Sequence, residues 1–282
     1  MAPMSALYDL NQAWWHIAQA VAERAEPTLA AEEATALSLA KVADAIGRAT
    51  PAERWHGLAA VLMAPHPSHG LRAWRVAGLL GVLLPEVEGL FGVPQLSDAA
   101  TSIDVGRHQL ALVDECARVH APLAVRFAAL AHKIGKAGTP RDIWPSHYKH
   151  EQRAHAALDR WAVWLALPPE ALTLARWVVD EADRIHRVSD LRAGPIAAML
   201  ERLQAPSEPE RFEQLLLVCT CDWAAHDGHS AATYPKAPKL RRALAAYLAT
   251  DVTGLDADAA LHARAQAIAT ALHRRSPSST QG

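Results

Sequence analysis

The chain is poor in cysteine, in phenylalanine and tyrosine, in net charge and in long apolar runs. Its three cysteines in 282 residues, Cys116, Cys219 and Cys221, are too few and too odd in number for a disulfide framework and fit a reducing cytoplasm. Cys219 and Cys221 lie in the apolar run that starts at Leu215, which reads as buried helix rather than as a metal or redox motif. A formal net charge of −2 removes any global basic footprint for nucleic acid and leaves only local patches. The longest apolar stretches, such as Val76–Leu84, reach about half of the ~18 residues that a membrane helix needs. The first residues show no basic segment followed by an apolar one, so neither a signal peptide nor a membrane partner is expected. The combination that prevents folding, low hydrophobicity with high net charge, is also absent.

Alanine, by contrast, makes up about a fifth of the chain, well above ordinary usage, and it is the best helix former. Helical periodicity runs through nearly every segment, and no stretch shows the sustained alternation of a half-buried strand. The pattern predicts helices over Leu7–Arg24, Thr28–Ile46 and Leu71–Leu80, and another opening at the Thr50-Pro51-Ala52-Glu53 capping box. Residues 85–106, rich in Gly, Pro and Asp, read as loop. Further helices are predicted over His108–His120, Leu123–His132, Glu151–Ala166, Pro169–Ile185, Gly194–Gln204, Glu208–Ala225, Ala237–Ala249 and Ala257–His273. The fold class is therefore all-α, with a polar tail at residues 276–282 expected to be disordered.

Fifteen histidines leave the chemistry open when read alone, because spacing does not bring His108, His132 and Asp222 together. A collinear series of motifs narrows the reading. It comprises Thr50-Pro51-Ala52-Glu53-Arg54-Trp55, Leu83-Leu84-Pro85-Glu86 through Phe91-Gly92-Val93-Pro94, and Val125-Arg126-Phe127-Ala128-Ala129-Leu130-Ala131-His132. It continues through Thr139-Pro140 with Ile143-Trp144-Pro145, His147 and His150, Pro209-Glu210-Arg211-Phe212-Glu213-Gln214-Leu215, and Ala231–Pro235. This series resembles the C-terminal two-thirds of the bacterial multifunctional CCA-adding tRNA nucleotidyltransferases, which carry an HD phosphohydrolase domain. The resemblance implies a helical neck and body over residues 1–96, a multi-helix HD-like bundle over 97–232 and C-terminal tail helices over 233–275.

Three departures from the family set the functional expectations. No strand-rich nucleotidyltransferase head is recognisable before residue 10, so CCA addition by this chain alone is not expected. The acidic–Arg motif by which the family reads nucleotides is replaced around Asp9–His16, where Trp14 and Trp15 are expected to pack a surface. In the H…HD…D metal signature, His108, His132 and Asp222 match singly, but Lys133 stands where the dyad Asp belongs. An ammonium about 4 Å from a divalent ion at an effective dielectric of about 20 opposes it by about 8 kcal/mol before relaxation. The plain reading is that Lys133 fills the metal's place and pairs with Asp222. Finally, Ala182 replaces a family His, and His226 replaces a terminal Arg. Asp222 and His226, four apart on one helix face, are expected to pair.

Carried over residue by residue, the resemblance makes His132, Lys133 and Asp222 the catalytic candidates, with Lys136, His147, His150 and His226 lining the substrate pocket. His108, His132 and Asp222 are the metal ligands if one divalent ion (Mg, Mn, Ni or Co) binds despite Lys133. Lys136 is expected to face solvent or phosphate, and His186 falls on a family position without motif weight. Two functions stay open. One is a degenerate, cytoplasmic binding or regulatory module for tRNA, a nucleotide phosphate or a separately encoded nucleotidyltransferase. The other is an active metal-dependent phosphohydrolase on 2′,3′-cyclic or 2′-nucleotide phosphates. Lys236, Lys239, Arg241 and Arg242 form a basic cluster that reads either as a phosphate contact or as a solvated helix face.

Overall fold

The computed structural model describes residues 10–96, 102–188 and 192–273. The expected helix start at Leu7 and the polar tail at 276–282 lie outside them. The described residues are helical apart from turns and one two-stranded ribbon, so the protein is all-α. No helix among them is long and apolar enough to cross a membrane. The N-terminal layer contains α1 (Leu10–Ala22), α2 (Ala31–Val42), α3 (Ala45–Arg48), α4 (Pro51–Met63) and α5 (Pro67–Val76), followed by the short turns α6 (Leu80–Leu83) and α7 (Pro85–Glu88). The antiparallel strands β1 (Pro94–Leu96) and β2 (Ser102–Asp104) pair Gln95 with Ile103 and lead into α8 (Val105–Arg118). Then come α9 (Leu123–Ala131), α10 (His150–Trp164), α11 (Pro169–His186), α12 (Ala193–Arg202), α13 (Pro209–Ala224), α14 (Lys236–Leu248) and α15 (Ala257–His273).

Three sequence expectations need correction. The helix expected over Leu71–Leu80 starts earlier, at Pro67, and ends at Val76, before Gly78 at φ 69°. The helix expected over Thr28–Ile46 is broken between α2 and α3, where Asp44 adopts a left-handed conformation at φ 52°. The loop expected over 85–106 contains both α7 and the ribbon. Its turn residues are real, but three-residue strands are too short to show an alternating pattern. The Thr50 capping box forms as the sequence suggests: Glu53 N–H donates to Thr50 Oγ1 at 3.3 Å, and the Glu53 carboxylate accepts from Thr50 N–H at 2.7 Å.

The core runs without interruption from Ala13 to Ile268. In α1, Ala13, Trp14, Ile17, Ala18 and Val21 recur at helical spacing and are buried. Trp14 belongs to this core: its ring lies 5.7 Å from that of Trp74, whose indole N–H donates to the Trp14 carbonyl at 2.5 Å. Helix α9 is buried on all sides from Val125 to Ala131, as befits a helix packed between α4, α8, α11 and α13. Burying helix ends requires partners for their free carbonyls. The buried Arg126 supplies them, donating to Leu62 and Ala64 at the end of α4 and to Ala121 before its own helix, at 2.8, 3.0 and 2.8 Å. Arg54 acts similarly, bonding the carbonyls of Ile46, Gly47 and Trp164 and stacking 3.4 Å over the Trp164 ring.

These arginines fix the N-terminal layer onto the helices that carry the site. Replacing Arg126 with Met retains the aliphatic volume but strands three buried carbonyls. The expected loss is about 2–4 kcal/mol of stability, read as a lower midpoint in urea unfolding followed by helical circular dichroism.

Candidate functional site

Four helix segments converge on Asp222, which lies near the C-terminal end of α13 among Val218, Cys219 and Cys221. An isolated carboxylate in such surroundings is costly unless it is paired and hydrogen-bonded. Asp222 Oδ1 accepts from Lys133 Nζ at 2.8 Å and from His108 Nε2 at 2.8 Å, and its Oδ2 lies 3.0 Å from His186 Nε2. The last contact has ion-pair distance without hydrogen-bond alignment. Lys133 is 3% exposed and Asp222 4%. The pairing of Lys133 with Asp222 expected from the sequence is therefore present.

Local sequence explains how each partner arrives. Asp104 caps α8, accepting from Arg107 N–H at 2.8 Å and from Gly92 N–H at 2.7 Å, so the ribbon sets the start of the helix that holds His108. Helix α9 ends at His132, and Lys133 at φ −113° begins a 3-10 turn over Ile134–Lys136. Gly135 in that turn is pressed against α10, where an added Cβ would run into the His150 carbonyl. His186 closes α11 and is held from the other side by the Tyr234 hydroxyl, 3.1 Å from its Nδ1.

The charges around Asp222 follow from burial and from Lys133. Burial would raise the Asp222 carboxyl, but the Lys133 ammonium and the contacts from His108 and His186 outweigh it and hold the group well below its usual range. Burial first, then Lys133, pushes His132 down to about 3, and the same two causes lower His108. Burial and the His108 ring push His226 down to about 4. The lowered His108, His132 and His226 imidazoles are thus neutral at neutral pH, and the Asp222 carboxylate is charged.

His132 is the exception in bonding. Both of its ring nitrogens are buried without a hydrogen-bond partner, and Nε2 lies 4.0 Å from Asp222 Oδ2. His226 does not form the expected bond to Asp222. Its ring packs against that of His108, centroids 4.4 Å apart, because Lys133, His108 and His186 already occupy the carboxylate. His108, Asp222 and His226 nevertheless bring one ligand atom each to within 4.8 Å of one another, a spacing able to hold a metal ion. This trio includes His226 where the sequence suggested His132. Any ion there would compete with the Lys133 ammonium, which is bonded to the same carboxylate at 2.8 Å.

A cavity of about 1210 Å³ opens beside this cluster, lined among others by Lys133, Lys136, His147, His150, Asp222 and His226. His147 is fixed through both ring nitrogens, to Thr139 Oγ1 at 3.0 Å and the Pro94 carbonyl at 2.9 Å. His150 Nδ1 lies 3.1 Å from the His147 carbonyl and its Nε2 3.7 Å from Asp183 Oδ2. Lys136, expected to face solvent or phosphate, is 5% exposed, so it is not a solvent-facing side chain, and it donates to Gln95 Oε1 at 2.5 Å. Sequence reasoning passed over Asp183 and Gln95 and gave His186 no weight. Asp183 and His186, one turn apart at the end of α11, fall outside the matched motifs, and Gln95 sits on a strand read as loop. The basic cluster on α14 is largely engaged internally, with Arg241 forked onto Glu213 and Lys239 donating to the Val188 carbonyl.

Sequence comparison points to one group of proteins. The chain is 42% identical over 210 residues to a multifunctional CCA protein of Verminephrobacter eiseniae, covering 74% of this chain and 51% of that one. A second, from Acidovorax sp. strain JS42, is 39% identical over 236 residues, with coverage of 79% and 56%. The chain is a relative of the multifunctional CCA proteins. A third such protein, from Burkholderia cenocepacia, is 37% identical over 266 residues, covering 91% of this chain and 64% of its own length. The chain therefore spans about half the length of the first multifunctional CCA proteins it matches, as a C-terminal-like segment. No family model matches it.

Two outcomes test the cluster. Asp222→Asn leaves the Lys133 ammonium buried and unpaired and costs about 3–5 kcal/mol, whereas Lys133→Met with Asp222→Leu removes both charges and is far less destabilising; a denaturant double-mutant cycle reads the difference. The second concerns His132, which takes up a proton near 6.5 when unfolded and near 3 when folded. Between those values the unfolded state binds more protons, so its contribution is complete above 6.5 and is lost as pH falls towards 3. His132→Gln is expected to flatten the decline of stability across that window in a pH series of urea midpoints.

Proposed function

We propose that this segment is a degenerate HD-type module in which Lys133 stands in for the metal ion, and that its cavity binds a phosphate-bearing ligand without hydrolysing it. The observation that carries this reading is the Lys133–Asp222 ion pair at 2.8 Å, with both residues almost wholly buried. A tethered ammonium supplies one positive charge at a position where the resemblance implies two. It neutralises Asp222 and contacts phosphate as a point charge, but it brings no bound water to activate.

The ligand class follows from the cavity and from the relatives. Lys133 and Lys136 reach the cavity from one turn, and His147, His150 and His226 line it. The multifunctional CCA proteins to which the chain is related suggest the terminus of a tRNA or a nucleotide phosphate, handled in the cytoplasm. A separately encoded nucleotidyltransferase is the protein partner consistent with the same resemblance. The division into a neck and body over 1–96, an HD-like bundle over 97–232 and tail helices over 233–275 belongs to this proposal.

His132 supports a second reading. Two buried ring nitrogens without partners are what a ligand histidine looks like before its ion arrives. Displacement of Lys133 would then give an active phosphohydrolase held by His108, His132 and Asp222, with Mg, Mn, Ni or Co.

Metal analysis separates the two. The unmodified protein is expected to hold no stoichiometric Mg, Mn, Ni or Co after equilibration and to leave 2′,3′-cyclic nucleotides intact. Lys133→Asp is expected to gain metal. Stoichiometric metal and cyclic-phosphate hydrolysis in the unmodified protein, both lost on His132→Ala, would establish the second reading instead.

A further inference from the structure

Lys133 and Lys136 lie three residues apart and line the same cavity, but their surroundings differ. Lys133 is neutralised by Asp222 at 2.8 Å. Lys136 is as deeply buried, yet its Nζ bonds a neutral amide oxygen, that of Gln95, and among the described residues no carboxylate oxygen lies within 4.0 Å of it. A buried ammonium with no ion-pair partner is unstable in that form and readily gives up its proton.

We infer that Lys136 is an amine nucleophile that captures phosphorylated aldehydes as an imine inside this cavity. In that step the neutral Nζ adds to the aldehyde carbon to form a C–N bond. The carbonyl oxygen takes up protons and leaves as water, giving a C=N bond with no change in oxidation state. The amine is available because burial, and after it the Lys133 charge, push Lys136 down to about 8. The groups facing it are Lys133 on its own turn, Asp183 on α11, Glu151 on α10 and Asp222 on α13. The last three carboxylates favour the ammonium but do not offset burial and Lys133. His150 and Asp183, 3.7 Å apart on the same cavity wall, are placed to handle protons.

The preference for an anionic aldehyde comes from the wall itself. It carries seven Lys and Arg against five Asp and Glu. Pairing engages both signs, Asp222 with Lys133 and Glu181 with Arg184 and Arg202, so the wall keeps a cationic excess of two, or of one when Lys136 is neutral. The inference rests on the cavity being a phosphate site, as proposed above.

Pyridoxal 5′-phosphate, trapped with borohydride on the full chain and located by peptide mapping, provides the test. Near neutral pH, Lys136 is expected to label at least about tenfold faster than the exposed Lys41, because far more of a lysine with a lowered pKa is neutral. Labelling is expected to be slowed by inorganic phosphate, weaker with unphosphorylated pyridoxal, and absent at this position in Lys136→Met. Labelling spread over lysines according to exposure, while inorganic phosphate still binds by titration calorimetry, overturns the imine and leaves the phosphate site standing. Equal labelling by pyridoxal and its phosphate overturns the anionic preference. Failure of phosphate to bind, together with no preferential labelling, overturns both readings.

Discussion

The structure is organised around one buried carboxylate. Asp222 is buried near the end of α13 beside Val218, Cys219 and Cys221, so its charge has to be met by side chains from elsewhere. The partners come from the start of α8, the turn after α9 and the end of α11, and each element must stop or start in register for its donor to reach. The ion pair therefore specifies how four segments meet, which is a firmer claim than that it stabilises them. A buried pair of this kind gains little over an apolar pair of equal volume, but losing one partner is expensive. That asymmetry makes the arrangement resistant to single changes.

The same pair decides the chemistry available nearby. One ammonium against one carboxylate leaves the cluster neutral, and burial keeps His108, His132 and His226 neutral as well. Neutral imidazoles are good ligands and poor anion binders. The positive character of the cavity consequently falls on the other lysines and arginines of its wall, not on its histidines.

Legibility in the sequence divided along physical lines. Alanine content and helical spacing were enough for the all-α class, because helices are encoded by residues close together in the chain. Capping at Thr50 was readable for the same reason. Convergence on Asp222 was not readable from spacing, since His108 and Lys133 lie 114 and 89 residues away; those positions came from the family resemblance. The resemblance in turn passed over Asp183 and gave no weight to His186, which act here through their place at the end of α11. Gln95 could not be found at all, because its role depends on a three-residue strand whose partner strand begins seven positions later.

The helix break after His132 is what gives the cavity its two amines. A 3-10 turn has three residues per turn, so side chains at i and i+3 stack above one another. Lys133 and Lys136 are so related across Ile134–Lys136. Gly135 permits this by letting the turn press against the His150 carbonyl, where a side chain would not fit. Burial and, after it, the Lys133 charge lower the proton affinity of Lys136. Lys133 thus acts twice, bonding the buried carboxylate at 2.8 Å and sensitising the lysine one turn away.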